Sequence, residues 1–414
     1  MSCKMVIGAW VLAALLTACG GGGGGSGGGG GASAPGGGGS GNPPATPAAN
    51  VQSITVEEGP ANFVNALFTS VTLCIPGTTT CQTVDHVLVD SGSSGLRIVS
   101  EALNDNMVLP TEMDSGKEVV ECTQFADGFT WGPVKIADIR ISGERAAAVP
   151  IQVIGDPDYP VIPNNCTNTG PPENTVETFG GNGLLGVGLF KQDCGTSCLS
   201  NGNAFYYACP CQLGSTSTAL ALDLQVQNPV AIFDNDNNGV LIQLPSVPDE
   251  GAVSVSGSLV FGIGTQTNNG LGSTEVYTVK PNTGTFFTTY KGQVYTQSVL
   301  DSGSAVNFFA DAGIHICNQP QDVASGFYCP DTTLDLSADV AGKNGVIARF
   351  NFQVANAHDL FTNNPSHWAF KNLAAPDIVS SRFIWGLPTF MGRNVFIAIE
   401  GQNTPGGAGP YFAF

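Results

Sequence analysis

Basic residues are scarce in this chain of 414 residues. Lysine and arginine together number 14, against 33 aspartates and glutamates, and the formal net charge is −19. Binding to a nucleic-acid backbone depends on clustered lysine and arginine side chains that neutralise phosphates. We therefore expect no nucleic-acid partner.

Histidine is equally rare. The chain has four, and none is spaced from another histidine or from a pair of carboxylates in the way that metal ligands usually are. The Gly-x-Ser-x-Gly elbow of serine hydrolases is also missing, which argues against a Ser-His mechanism at Ser93. We expect neither a metal nor a cofactor.

Long hydrophobic runs are lacking as well. The apolar run Met5–Leu16 follows Lys4 and is too short for a membrane span, which needs about 20 residues. Its end, Leu16-Thr17-Ala18-Cys19, resembles the lipobox of bacterial lipoproteins. We predict a signal peptide at 1–18 and a lipid on Cys19. Gly20 favours the outer membrane, with the leaflet left open.

Residues 20–50 are rich in glycine and then in proline and alanine, without apolar periodicity. Such a composition predicts a disordered tether over 19–50, with a root-mean-square reach of about 30 Å.

Ten of the twelve cysteines remain once Cys3 and Cys19 are set aside. An even number in an exported chain predicts disulfides. Cys74 and Cys81 flank a short turn and are predicted to pair. We also predict that Cys317 pairs with Cys329 to close a loop, and that Cys122 pairs with Cys166. The cluster Cys194, Cys198, Cys209, Cys211 permits three internal pairings. Its spacing fits a zinc site poorly.

One short motif occurs twice. Each copy follows an apolar run, and each is followed at a similar interval by two large apolar residues and a glycine. The motifs are Asp90-Ser91-Gly92-Ser93 and Asp301-Ser302-Gly303-Ser304, and the later segments are Leu184-Leu185-Gly186 and Ile384-Trp385-Gly386. A single Asp-Ser-Gly is a common turn. Two copies in matching contexts predict equivalent sites on two related units.

This pattern resembles the pepsin-like aspartic peptidases. The resemblance implies a mostly β, bilobal acid-protease fold in which two β-barrel-like lobes enclose a cleft. It implies that Asp90 and Asp301 share one proton and activate water, and that Ser91 and Ser302 brace the pair across the lobes. Ser93 and Ser304 would bind the outer carboxylate oxygens, while Gly92 and Gly303 permit close approach or positive φ. The segments ending at Gly186 and Gly386 would thread beside the two turns.

Two positions depart from that family. The predicted flap hairpin covers residues 123–132 and contains Phe125 and Trp131, with Phe125 where a tyrosine is expected. Arg97 stands where the family has a tryptophan. If Arg97 points into the cleft, its charge lowers the pKa values of the pair.

A finer resemblance is to a bacterial lipoprotein family known only as a domain of unknown function. It rests on the segments Pro229–Phe233, Gly386–Pro388 and Ala398–Gly401. That resemblance implies no activity.

We predict a mostly β fold for the part after the tether, because short runs of β-branched and aromatic residues alternate with Gly, Pro, Asn and Asp. We predict an N-terminal β lobe at 51–225 and a C-terminal β lobe at 226–414. The predicted strands are Val51–Val56, Leu67–Leu73, His86–Val89, Lys135–Ile141, Val230–Phe233, Gly239–Leu244, Val253–Phe261, Glu275–Val279, Val346–Val354 and Val395–Ile399.

Two other motifs are set aside. Residues 181–186 match a dinucleotide-binding fingerprint, but no amphipathic helix follows. Residues 234–239 resemble a calcium loop whose twelfth position is Pro245 instead of glutamate, and a hairpin turn between Val230–Phe233 and the next strand fits better.

The leading hypothesis is a membrane-tethered, monomeric aspartic endopeptidase that acts on polypeptides through Asp90 and Asp301. The alternative is a surface lipoprotein that binds a peptide or glycan on the same scaffold without cleaving it. The retained pair of aspartates favours the enzyme, since a binding protein has no need of carboxylates that share a proton.

Overall fold

The structure is a computed structural model that describes residues 48–317 and 322–414. The predicted signal peptide, Cys19 and the tether as far as residue 47 lie outside the described residues.

Strands dominate these ranges, and the two α-helices are short. The helices are α1, Val176–Phe179, and α2, Ala357–Asn363. In chain order the strands β1 to β24 are Val51–Val56, Leu67–Cys74, Cys81–Asp90, Ser94–Val99, Met113–Asp114, Lys117–Gln124, Phe129–Ile141, Glu144–Ile154, Gly183–Val187, Tyr206–Cys209, Gly239–Leu244, Val255–Phe261, Val276–Thr278, Phe286–Tyr290, Gln293–Leu300, Asn307–Phe308, Leu334–Ala341, Ile347–Val354, Ala374–Ala375, Arg382–Trp385, Arg393–Ala398, Asn403–Thr404, Gly407–Ala408 and Tyr411–Ala413.

The mostly β prediction is therefore confirmed, and nine of the ten predicted runs overlap strands. The prediction for Val230–Phe233 was wrong. Pro229–Ile232 forms a 3₁₀ turn with proline in its first turn, and the side chain of Asn228 caps it by accepting a hydrogen bond from the N–H of Val230. Proline lacks a ladder donor and fits a helix start, which explains the difference.

Three sheets contain the strands. A fifteen-stranded sheet runs in the order β10-β6-β7-β8-β4-β9-β3-β2-β1-β12-β11-β21-β24-β13, with β5 beside β6. A seven-stranded sheet follows the order β18-β17-β14-β15-β20-β16-β19, and β22 pairs with β23. Because β1 pairs antiparallel with β12, the large sheet crosses the predicted boundary at 225/226. That boundary remains a prediction.

The same threaded arrangement occurs in both halves of the chain. In the first half, β9 lies between β3, which it pairs with in parallel, and β4, which it pairs with antiparallel. In the second half, β20 lies between β15, in parallel, and β16, antiparallel. Each threaded strand carries the large apolar pair that precedes the glycine. In each half the threaded strand, β9 or β20, therefore lies directly beside the end of the strand that leads to the aspartate.

Five disulfides connect the described cysteines. The three predicted pairs Cys74–Cys81, Cys122–Cys166 and Cys317–Cys329 are present. The cluster resolves into two local bonds, Cys194–Cys198 and Cys209–Cys211. These bonds occupy all four sulfurs that a zinc ion would need.

Among the described residues, no helix combines the length and the hydrophobicity that crossing a bilayer requires.

Candidate functional site

The two repeated aspartates lie at the ends of equivalent strands. Asp90 is the last residue of β3, and Asp301 directly follows β15, with its N–H donating to the carbonyl of Trp385 at 2.9 Å. Asp90 is buried and Asp301 is partly buried. The threaded strands β9 and β20 hold both turns against the core.

Each carboxylate is bound by its own turn in the same way. The N–H of Gly92 donates to Oδ1 of Asp90 at 2.7 Å, and the N–H of Gly303 donates to Oδ1 of Asp301 at 2.9 Å. Ser93 Oγ donates to Oδ2 of Asp90 at 2.5 Å, and Ser304 Oγ donates to Oδ2 of Asp301 at 2.7 Å. The two serines occupy the positions that the resemblance implied.

Reciprocal hydrogen bonds join the two turns across 211 residues of sequence. The N–H of Ser302 donates to Ser91 Oγ at 2.9 Å, and the N–H of Ser91 donates to Ser302 Oγ at 3.0 Å. Each hydroxyl then donates to the strand that precedes the other aspartate, Ser91 to the carbonyl of Leu300 and Ser302 to that of Val89. All four groups are buried, so the pair is held by bonds that water does not weaken.

Close approach is what requires the two glycines. A Cβ on Gly92 would lie 2.7 Å from Cγ of Asp301, and a Cβ on Gly303 would lie 2.7 Å from Oδ1 of Asp90. Neither glycine has positive φ. Each glycine therefore leaves room for the opposite carboxyl group, which places the two aspartates next to each other.

This contact changes the titration of the pair. Burial, followed by the charge of Asp90 and a hydrogen bond with it, raises the pKa of Asp301 to about 8. Hydrogen bonds from Ser304 and from the N–H of Gly303 oppose the rise. Two buried carboxylates in contact cannot both ionise easily, so the pair retains one proton at neutral pH.

A cavity of about 360 Å³ opens above the pair. Its walls combine the polar turns with apolar side chains from several segments, among them Phe125, Leu189, Phe190, Val299 and Phe412. The cavity thus presents a proton-sharing pair of acids on its floor and apolar surface around it, which is the usual composition of a small-molecule or peptide site.

The predicted flap corresponds to the hairpin of β6 and β7. Phe125 follows β6 and reaches the cavity, as expected for the flap. Trp131 lies on β7, but its ring is buried against Tyr207 and its Nε1 donates to the carbonyl of Tyr159 at 2.9 Å. It does not line the cavity. The predicted substrate contact of Trp131 is therefore corrected, because strand alternation turns its side chain toward the disulfide-linked layer behind the hairpin.

Arg97 borders the cavity, but its guanidinium is paired with two acidic side chains. Its Nη2 lies 2.7 Å from Oε1 of Glu121 and 2.8 Å from Oδ2 of Asp193, and only 1% of the side chain is exposed. Nε donates to Thr123 and Nη1 donates to the carbonyl of Ser94. Arg97 thus reaches the edge of the cleft, but it does not contribute to the pKa shift of Asp301, because its two acidic neighbours neutralise it.

Three residues around Arg97 were not anticipated from the sequence. Glu121 lies on β6, Asp193 follows β9, and Tyr206 of β10 donates from its hydroxyl to Oδ1 of Asp193 at 2.6 Å. Burial, with the charge of Glu121, raises the pKa of Asp193 well above its usual range. A signal was present in the sequence, because Glu121 and Arg97 each interrupt a short apolar run, Val119–Cys122 in β6 and Leu96–Val99 in β4. Opposite charges inside apolar runs indicate a buried ion pair.

Comparison with known protein families gives one match. A family described as "Protein of unknown function (DUF3443)" matches residues 46–414. No curated protein matches the chain.

Proposed function

The chain belongs to that family of unknown function, whose description gives no activity, and we propose from the site itself that the protein is an aspartic endopeptidase. It would hydrolyse peptide bonds through Asp90 and Asp301. We propose with it a bilobal, pepsin-like arrangement of the two halves. The family match agrees with the resemblance to a family of unknown function that the sequence indicated. The match gives no information on the activity.

The observation that carries this proposal is that the carboxyl groups of Asp90 and Asp301 are in contact on the floor of a cavity, where they can share one proton. In peptide hydrolysis the ionised member removes a proton from water as its oxygen attacks the carbonyl carbon, while the protonated member donates to the carbonyl oxygen. The resulting diol collapses when a proton passes to the leaving nitrogen and the C–N bond breaks. With one proton on the pair at neutral pH, one aspartate donates it and the other acts as the base.

The threaded strands support the proposed fold. Both halves use the same order, in which the strand before the aspartate, the apolar-apolar-glycine strand and the following strand lie side by side. A Cβ on Gly186 would contact the backbone of Ser94 at 2.8 Å, and one on Gly386 would approach the carbonyl of Val306 at 2.1 Å. The two glycines play the same packing role, which is what two related lobes require.

The N-terminal sequence supports a location for this activity. A signal peptide at 1–18, a lipid on Cys19 and a Gly-rich tether would hold the catalytic part at a bacterial membrane, most simply the outer membrane. Substitution of Cys19 by serine tests this part: the variant should be recovered in the aqueous fraction of a detergent partition, whereas the unaltered chain should enter the detergent phase.

The decisive experiment is cleavage of a diverse peptide library by the chain with Cys19→Ser, from about pH 3 to 8, beside Asp90→Asn and Asp301→Asn. Cleavage by the parent that both variants lose, and that a transition-state-mimicking inhibitor of aspartic peptidases blocks, supports the proposal. A folded, disulfide-intact parent that cleaves nothing contradicts it.

One observation favours a second candidate, a binding protein on this scaffold. Phe125 offers the cavity an apolar ring without a hydroxyl, so it cannot hydrogen-bond a substrate backbone. If the library peptides bind without being cleaved, and Asp301→Asn binds them equally well, a peptide-binding role replaces hydrolysis.

A further inference from the structure

A second, larger cavity of about 610 Å³ lies in the C-terminal half, with none of the dyad residues in its walls. It is bounded by the edge strand β18, its partner β17, and the segment that joins β20 to β21. Polar side chains contribute much of its wall, including Ser337, Asn351 and Gln353. None of the chemistry proposed above uses it.

A half-buried guanidinium reaches this cavity without a counter-charge. Arg393 forms no ion pair with any residue in the described ranges, although acids outnumber bases more than twofold in the chain. Burial alone lowers its pKa, since no acidic group lies close enough to raise it. The neighbouring cation, Lys371, is already paired with Asp249 at 2.7 Å.

The position of Arg393 is fixed while most of its donors remain unused. The guanidinium lies over the ring of Phe350, 4.9 Å from its centroid, and Nη1 donates to the carbonyl of Thr389 at 2.7 Å. Nη2 makes a long contact of 3.5 Å with the carbonyl of Asn351. A guanidinium has five N–H donors, so this one retains donors for a ligand.

The surroundings distinguish between anions. A guanidinium pairs with either a carboxylate or a phosphate in a two-pronged geometry. The cavity wall also contains the carboxylate of Asp335, which accepts from Gln353 at 2.9 Å. One cation without an acidic partner, in a wall that also contains a carboxylate, suits a monoanion better than a doubly charged phosphate. The amide and hydroxyl groups suit hydroxyl or amide groups on the same ligand.

We propose that this cavity is a binding site for a small monocarboxylate that also carries hydroxyl or amide groups, with Arg393 binding the carboxylate. Sugar acids and N-acylated amino acids both belong to this class. The site is independent of the proposed peptidase activity and of the dyad.

Ligand-observed NMR on the purified full-length chain tests the proposal with matched probes. Galacturonate is compared with methyl galactoside, N-acetylglycine with N-acetylglycinamide, and inorganic phosphate is tested separately. We expect one or both carboxylates to bind and their neutral counterparts to bind at least about tenfold more weakly, since a charge-assisted pair is lost. The member of the class that binds identifies its source.

Variants locate the binding. Arg393→Gln should weaken carboxylate binding at least about tenfold, whereas Arg393→Lys should retain part of it. Arg349→Gln is the matched control, because Arg349 is exposed and paired with Asp339 away from the cavity. Ser337→Trp, at an exposed position on the wall, should block binding while the charge of Arg393 remains. This variant tests the site even if the substitutions of Arg393 impair folding.

Three results would overturn the proposal. They are the absence of binding by both carboxylates, carboxylate binding that Arg393→Gln and Ser337→Trp leave unchanged, and phosphate binding stronger than that of either carboxylate. Loss of peptide cleavage in the dyad variants has no bearing on these outcomes, so failure of one proposal is distinguishable from failure of the other.

Discussion

Two pairs of contacting carboxyl groups lie at the cavity above the dyad, and they differ in their counter-charge. Asp90 and Asp301 form no ion pair with a cation among the described residues, and they lie on the floor of a cavity. Glu121 and Asp193 share Arg97, and at most 3% of either acidic side chain is exposed, although Arg97 and Asp193 border the same cavity. Burial raises the pKa of one member in each pair. Only in the first pair is the repulsion between the carboxyl groups relieved by a proton without the help of a cation.

This difference indicates that the raised pKa of a buried carboxyl group has a different role in each pair. In the second pair a cation bridges β4 and β6, so the hairpin that carries Phe125 is tied to the strand that follows Asp90. In the first pair the repulsion between carboxylates is relieved by a proton, which is available for transfer. Four predictions test this contrast.

Catalysis should depend on the first pair alone. Asp90→Asn and Asp301→Asn should each lower the rate of peptide hydrolysis by about 10⁴-fold or more. The amide that replaces the carboxyl group cannot take up or release the shared proton. Glu121→Gln should retain most of the activity. Initial rates at matched concentrations of folded protein measure both effects. Comparable losses in Glu121→Gln and in the dyad variants would remove the distinction.

Stability should depend on the second pair. Arg97→Met should lower the free energy of unfolding by about 3–5 kcal/mol, because two buried acids lose their cation. Arg349→Met, at an exposed ion pair, should leave it unchanged within error. Denaturant unfolding with disulfides intact measures the change. An Arg97→Met protein as stable as the parent would contradict the structural role given to this cluster.

The pH dependence of stability should carry the signature of the first pair. The pKa of Asp301 rises on folding from 3.8 to about 8. Between these values the folded state binds more protons than the unfolded state, so the contribution of Asp301 to stability is lost as pH rises through that window. Asn does not titrate.

We therefore expect Asp301→Asn to gain stability relative to the parent between about pH 4 and pH 8, and the difference to level off above it. Thermal unfolding of the two proteins across this range tests the sign. Other acids with raised pKa values, such as Glu173, cancel in the comparison. A difference that is constant or falls with pH would contradict the raised pKa.

The smallest effect concerns the outer carboxylate oxygen. Ser304 lowers the pKa of Asp301 through its hydrogen bond. Ser304→Ala should raise that pKa and move the alkaline limit of hydrolysis upward by about one pH unit. Ser337→Ala, an exposed change on β17, should leave the pH profile unchanged. A downward shift in Ser304→Ala would mean that the serine acts on the protonated form instead.

Much of the fold and of the candidate site was readable from the chain. The nine correct strand predictions follow from β-branched and aromatic runs of the right length, and the turns at Asp90 and Asp301 follow from a repeated local motif. Cys74–Cys81 was predictable because the two cysteines flank a short turn. The error at Val230–Phe233 came from reading an apolar run as a strand without weighing Pro229.

Local sequence indicated nine of the strands and showed that two identical acidic turns exist. Tertiary structure alone decided that these turns meet through Ser91 and Ser302, that Arg97 pairs with Glu121 and Asp193, and that Trp131 points away from the cavity. Propensity and turn chemistry act over a few neighbouring residues. Proton sharing, ion pairing and burial depend on which distant segments the sheets bring into contact, and no short stretch of sequence contains that information.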